Sequence, residues 1–135
     1  MYFLPTLAFA GRVLMSLIFL IGGIGKFTAQ AATLRSMIAY GVPLPELVYW
    51  GALATEIVGG LLLLFGMFTR PVALLLAVFC LITAFVFHDV PSDPAAMLHF
   101  YKNLCMAGGL LQLAAFGSGL LSIDTLILKR LAAPP

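Results

Sequence analysis

Long apolar runs separated by short polar stretches dominate the chain, and four of these runs are long enough to cross a bilayer as helices. A hydrocarbon core of about 30 Å needs about 20 predominantly apolar residues in helical conformation. The pattern therefore predicts an all-α fold, an integral membrane four-helix bundle that forms a single domain over residues 1–135. The spans are expected at about residues 4–25, 47–68, 72–88 and 97–116.

The segments that connect the apolar runs contain residues that predict short helices and helix ends. Residues 28–41 are more polar and predict a short interfacial helix in the first loop, with three apolar side chains on one side: Leu34, Met37 and Ile38. The prolines of the VPLPE stretch prevent this helix from continuing into the second span. Pro71 suits the first turn of the third span. After Gly117 the chain predicts a short amphipathic C-terminal tail, with Ser122 as a helix cap.

Composition supports a membrane protein and excludes several other classes. The 135 residues are 63% hydrophobic and 9% charged, whereas an ordinary soluble domain is about 25% charged. The net charge of +2 is too small and too scattered to predict nucleic-acid binding. Cys80 and Cys105 lack CxxC spacing and are expected to behave as small hydrophobic residues. No metal-ligand spacing is present in the sequence, so no metal is expected.

Two opposite charges interrupt the apolar runs. Glu56 lies near the middle of the second run and Arg12 inside the first, where a charge costs about 2.5–3.5 kcal/mol on insertion scales. From a rise of about 1.5 Å per residue, their backbones are expected to differ in level by about 4–5 Å. The sequence therefore predicts an Arg12–Glu56 pair. This pair would either fix the helix register or form the base of a functional site, and the residues leave both interpretations open.

Other polar residues are expected to converge on the same place. The predicted intramembrane polar site comprises Arg12, Glu56, Lys102 and Asn103. Its predicted rim comprises Lys26, His88 and His99, at the end of the bundle that holds the first and third loops. Lys102 has an alternative role as an anchor whose charge reaches outward to the interface. The two histidines have an alternative role as ordinary interfacial residues.

An ordered set of motifs gives the chain a family resemblance. The motifs are Arg12 followed by GGIGK ending at Lys26, Glu56 followed by paired glycines, the GxxTRP turn from Gly66 to Pro71, His88, Lys102-Asn103 followed by Gly108-Gly109, and GSGLLSID from Gly117 to Asp124. This set resembles the DoxX family of small four-span bacterial inner-membrane proteins. The resemblance extends over almost the whole chain, whereas each motif alone is weak.

The resemblance implies an oxidoreductase-associated protein of the bacterial inner membrane. The first expectation is a quinone-linked redox accessory subunit, the membrane part of a quinone-dependent oxidoreductase. The sequence contains no cofactor motif, so redox chemistry would have to come from a bound quinone or from a partner. The alternatives are a non-catalytic scaffold or anchor subunit of a larger complex, and a carrier for a small hydrophobic solute. The catalytic residues, and whether the chain is itself an enzyme, stay open.

The class of protein and its charge distribution also predict its partners and its orientation in the membrane. The expected partners are the lipid bilayer and other membrane or peripheral subunits, or further copies of the chain. In a four-span arrangement Arg70, Lys129 and Arg130 lie on the same side as the termini, whereas Lys26 and Arg35 lie on the other side with Lys102 just inside it. Because cytoplasmic loops carry an excess of Lys and Arg, a multi-pass topology with cytoplasmic termini is expected.

Overall fold

A computed structural model describes residues 3–132, and this part of the chain is helical without a β-strand. Residues 1–2 and 133–135 of the predicted domain lie outside the described residues. The helices are α1 (Phe3–Thr28), α2 (Gln30–Ala39), α3 (Pro45–Phe65), α4 (Thr69–Thr83), α5 (Pro94–Phe116) and α6 (Ile123–Ala132). A π-helical turn, Ala84–His88, continues α4. The predicted all-α bundle is confirmed.

Three segments of the described chain are both long and apolar enough to cross a membrane, namely α1, α3 and α4 with its π turn. Helix α5 packs along α4 as the fourth long helix of the bundle, and its 23 residues give a length of about 35 Å. The fourth predicted span falls inside this helix. Its first half is the more polar one, because it contains His99, Lys102 and Asn103.

Glycines let α1 and α3 pack closely in antiparallel fashion. A Cβ atom on Gly23 would lie 2.6 Å from the Ile57 side chain, and one on Gly60 would lie 2.9 Å from the Leu20 side chain. Small residues at such positions allow the closest approach of helices in membranes. The glycine run at the end of the first span therefore fixes the register of α1 against α3.

The buried core lies towards the end of the bundle where α3 turns into α4, which we call the turn end. Phe19, Leu63, Leu76 and Leu110 are among its buried residues and come from α1, α3, α4 and α5. Gly66 ends α3 in the left-handed conformation, with φ of 66°. Pro71 lies in the first turn of α4, as predicted.

The opposite end, which we call the α2 end, has a different construction. Only Ala29 separates α1 from α2, and α2 packs against α3 through Met37, which is buried beside Tyr49 and Leu53. The expected helix in the first loop is thus present, but part of its apolar side is covered by protein. The π turn is a wider turn of the kind often found at functional sites, and it ends at His88.

Candidate functional site: a cavity at the α2 end

A cavity of about 930 Å³ opens at the α2 end of the bundle. One wall is formed by the last part of α1, by α2 and by the first half of α3. The other wall is formed by the end of α4, the π turn and the first half of α5. Because the buried core fills the space between the long helices nearer the turn end, the two walls diverge only at the α2 end.

Glu56 and Lys26 form an ion pair on the first wall. The Nζ atom of Lys26 donates to Oε1 of Glu56 over 2.8 Å, and both side chains line the cavity. Glu56 is 6% exposed. Its Oε2 atom is buried and has no hydrogen-bond partner within residues 3–132. The Tyr49 hydroxyl donates to the Lys26 carbonyl over 3.1 Å and holds the end of α1 against α3.

Two histidines and an amide lie on the opposite wall. The rings of His88 and His99 stack with centroids 5.3 Å apart. The Asn103 side chain donates to the His99 carbonyl over 3.1 Å and accepts from the Thr83 hydroxyl over 3.3 Å. These contacts orient the Asn103 amide, so the wall presents polar groups in fixed positions.

Apolar side chains surround these polar groups and extend to the outside of the bundle. Ile18 and Ile82 line the cavity, yet they are 47% and 56% exposed on the protein surface. In a bilayer, such side chains contact acyl chains because the membrane core offers no water. The cavity is therefore bordered by apolar surface through which a lipid-soluble molecule can approach.

Lys102 lies outside this arrangement. Its side chain is exposed, and it is not among the residues that line the cavity. The neighbouring Asn103 lines the cavity instead, because consecutive helical residues project about 100° apart. The structure thus brings Lys26, Glu56, His88, His99 and Asn103 to one cavity and leaves Lys102 on the surface.

The predicted Arg12–Glu56 pair was wrong. Arg12 is 1% exposed, but its guanidinium donates to the Ser118 carbonyl over 2.7 Å and to the Leu121 carbonyl over 2.6 Å. Gly22 is the α1 residue beside the Glu56 carboxylate. It is ten positions from Arg12, or about 15 Å along the helix. The packing of α1 on α3 therefore separates the two charges and leaves Lys26, one turn beyond Gly22, to pair with Glu56.

The charged groups at the turn end hold the segment that follows α5. Asp124 accepts from the backbone N–H groups of Phe68 and Thr69 over 2.8 and 2.9 Å. Partial burial would raise the pKa of Asp124, but these hydrogen bonds and the positive charge of Arg12 outweigh it and lower that pKa below its ordinary value. Ser122 accepts from the Thr125 N–H over 3.2 Å and caps α6 as predicted. We call the Ser118–Thr125 segment, with these contacts, the C-terminal lock.

The DoxX family model matches residues 7–89, which is more than half of the chain. The chain belongs to the DoxX family. It is 43% identical over 122 residues to "Inner membrane protein YqjF" of Escherichia coli, covering 88% of this chain and 90% of that protein. It is 35% identical over 125 residues to "Inner membrane protein YphA" of the same organism, covering 89% of each. No solved structure matches.

A third relative carries a name that mentions a reaction class. The chain is 30% identical over 118 residues to "Putative oxidoreductase CatD" of Bacillus subtilis, covering 87% of this chain and 84% of that protein. Because the two relatives from Escherichia coli are inner-membrane proteins and three segments are apolar enough to span a bilayer, this DoxX chain is an inner-membrane protein. The family match extends from α1 to the end of the π turn and includes Lys26, Glu56 and His88, whereas His99 and Asn103 follow the matched range.

The prediction from sequence did not include the α2 wall of the cavity or the C-terminal lock. Thr33, Ser36 and Tyr40 of α2 line the cavity, but nothing in their spacing signals that α2 folds back along α3. The role of Asp124 near Arg12 could have been predicted from the sequence. Asp124 is the only acidic residue after the fourth run, so it was the natural counter-charge for a buried arginine on the same side of the membrane.

Proposed function

We propose that this DoxX protein binds a quinone or quinol in the cavity at the α2 end and serves as the membrane subunit of a quinone-linked oxidoreductase. The observation that carries the proposal is a cavity of about 930 Å³ with an apolar border and the partly buried Lys26–Glu56 ion pair on its wall. Ligand sites are typically about 300–1,000 Å³, mostly apolar, and contain a few convergent polar groups. The oxidoreductase name of one relative agrees with this class of ligand.

The polar residues of the cavity suit a ring with two oxygen atoms. A quinone accepts hydrogen bonds at its carbonyl groups, and donors are available from the Lys26 ammonium, the imidazole N–H groups of His88 and His99, and the Asn103 amide. Reduction to the quinol takes up two electrons and two protons. The electrons would come from a partner subunit, and Glu56, His88 and His99 are among the groups of the cavity wall that can exchange protons.

Filling the cavity tests the proposal without removing a polar group. A Cβ atom on Gly51 would meet nothing within 4 Å, and Gly51 lines the cavity. Gly108 has the same freedom on the exposed side of α5, outside the cavity. We expect Gly51→Phe to weaken binding of a decyl-tailed benzoquinone by at least about tenfold, or 1.4 kcal/mol, and Gly108→Phe to leave it unchanged. Isothermal titration of the detergent-solubilised protein measures both.

The polar groups are tested with a second matched pair. Glu56→Gln keeps the size of the side chain but removes the charge opposite Lys26, so we expect quinone and quinol affinity to change about tenfold. Lys102→Ala removes a charge from the surface only and should bind as the unaltered protein does. Equal affinity in all four variants, or no binding by the unaltered protein, contradicts the proposal.

An anchor subunit without a ligand is the second candidate, and a separate surface feature favours it. An apolar groove of about 430 Å³ lies between α1 and α3 on the outside of the bundle, bordered by Phe27, Trp50 and Val58. A membrane helix of a partner subunit would fit such a groove by close packing. Ala54→Trp would fill the groove, and loss of co-purifying subunits in mild detergent, with quinone binding retained, would support the anchor role.

We also propose that the turn end of the bundle faces the cytoplasm. Arg70, Lys129 and Arg130 lie at this end, whereas the other end carries Arg35, Lys102 and Lys26, of which Lys26 is paired with Glu56. The excess of unpaired positive charge favours the cytoplasmic side. Single cysteines placed at Lys129 and at Asp89, in a protein without Cys80 and Cys105, should react with an impermeant maleimide only at position 89 in intact cells. Labelling of position 129 alone would reverse the orientation.

A further inference from the structure

Helix α6 has an apolar face that the rest of the bundle does not cover. None of its residues is buried, and Leu126, Ile127 and Leu131 are 60%, 45% and 78% exposed. Together with Ile123, these residues recur at spacings of three and four, which places them on one side of a helix. The arrangement is that of an amphipathic helix whose apolar side lacks its partner.

The start of α6 is fixed at the level where two membrane-spanning helices end. The Asp124 N–H donates to the carbonyl of Gly66, the residue that ends α3, over 2.9 Å. The Asp124 carboxylate accepts from the first N–H groups of α4. Since α3 and α4 meet the membrane boundary at this turn, α6 begins at the same boundary.

Positive charge accompanies the apolar face. Lys129 and Arg130 lie in the last turn of α6, and both are exposed. Arg70 is also exposed, and its Nε atom lies 3.5 Å from the position that a Cβ on Gly117 would take. The negative charge of Asp124 is balanced by the positive charge of the neighbouring Arg12, so Arg70, Lys129 and Arg130 remain as an excess of positive charge at this end.

We propose that α6 lies along the membrane surface at the turn end and binds anionic phospholipids. Leu126, Ile127 and Leu131 would enter the boundary between headgroups and acyl chains, while Lys129 and Arg130 would contact the phosphate groups. Amphipathic helices with basic residues bind membrane interfaces in this way, and anionic lipids strengthen the binding. A helix directed into water from the same starting point would leave its apolar side chains solvated, so the membrane surface is the favoured partner.

Tryptophan quenching tests this orientation directly. The native Trp50 is replaced by Phe, and Leu126→Trp then provides one fluorophore on the apolar face of α6. The full-length protein is placed in nanodiscs that contain phosphatidylcholine and phosphatidylglycerol, with bromine atoms on the upper acyl chain of either lipid. We expect brominated phosphatidylglycerol to quench at least about twofold more than brominated phosphatidylcholine at equal mole fraction, because the anionic lipid is enriched beside α6.

The charge variants complete the experiment. Lys129→Gln with Arg130→Gln should abolish the preference for phosphatidylglycerol while retaining quenching, whereas Arg35→Gln at the α2 end should change nothing. Leu131→Trp replaces Leu126→Trp if the latter does not fold. Equal quenching by both lipids before any charge is removed overturns the lipid specificity. Absence of quenching by either lipid overturns the membrane location and indicates that a protein covers α6.

Discussion

The buried guanidinium of Arg12 provides the sharpest test of the structure. Arg12→Met removes the charge and both hydrogen bonds to the C-terminal lock but keeps an unbranched apolar side chain in the space. The Ser118 and Leu121 carbonyls then lose their donors, and Asp124 loses its neighbouring positive charge. We therefore expect a large loss of stability from a single substitution near the end of the bundle.

The magnitude follows from the contacts. A hydrogen bond to a charged group contributes about 1.5–3 kcal/mol, and Arg12 makes two such bonds at 2.7 and 2.6 Å. Removing one partner from a buried charged network typically costs about 3–5 kcal/mol. We expect that range for Arg12→Met. Arg12→Lys retains the charge but lacks the fork that reaches two carbonyls, so about half of the loss is expected.

The assay is reversible unfolding of the protein in mixed micelles, followed by circular dichroism, and its strength comes from double-mutant cycles. The Arg12 guanidinium and the Glu56 carboxylate belong to separate contacts, so Arg12→Met and Glu56→Met should be additive within about 0.5 kcal/mol. Lys26→Met and Glu56→Met remove two halves of one ion pair, and their coupling free energy should exceed about 0.5 kcal/mol. The contrast between the two cycles is independent of the absolute stability.

Two results would refute this reasoning. Wild-type stability for Arg12→Met would mean that the C-terminal lock does not depend on the guanidinium. A coupling free energy above about 1 kcal/mol between positions 12 and 56, with none between 26 and 56, would mean that Arg12 and not Lys26 is the partner of Glu56.

Two further predictions concern the lock and the helix contact. Because the pKa of Asp124 is lowered in the folded protein, its stabilising effect is complete above the ordinary carboxyl value of about 3.9 and is lost as the pH falls through the lowered value. Asp124→Asn should therefore lower the melting temperature at neutral pH and flatten its decrease in acid. Gly23→Leu would overlap the Ile57 side chain and should cost about 1–3 kcal/mol, whereas Gly25→Leu, where a Cβ atom meets nothing within 4 Å, should be neutral in the same unfolding assay.

Features that depend on local sequence were predictable. The apolar runs predicted the long helices, since their lengths match the thickness of a bilayer. The cost of a charge inside an apolar run predicted that Glu56 faces another helix, and Gly22 of α1 lies beside its carboxylate. The Ser122 cap and the position of Pro71 also follow from nearest-neighbour chemistry. Each of these depends on residues within a few positions of one another.

The partner of a buried charge depends instead on helix register, which no single run contains. The estimated depths of Arg12 and Glu56 assumed that the first two spans begin and end at the membrane boundaries. Helix α1 extends to Thr28 and presents Lys26 to Glu56. Ten residues of helix correspond to about 15 Å. A difference of this size in the position of α1 along α3 is enough to make Lys26, and not Arg12, the partner of Glu56. The side of α5 that faces the cavity also depends on packing between helices. Asn103 lines the cavity and the adjacent Lys102 lies on the surface, and the sequence of α5 alone does not determine which of the two faces inward.

Arg12 and Glu56 therefore contribute to two different parts of the protein, Arg12 to the closed turn end and Glu56 to the cavity at the α2 end. Arg12 is engaged by backbone carbonyls at the turn end, where the core is closed and the C-terminal lock covers the helix ends. Glu56 faces the open end, where one carboxylate oxygen holds Lys26 and the other has no hydrogen-bond partner in residues 3–132. Substitutions at the α2 end should accordingly change ligand binding more than stability, and substitutions at the turn end should do the reverse.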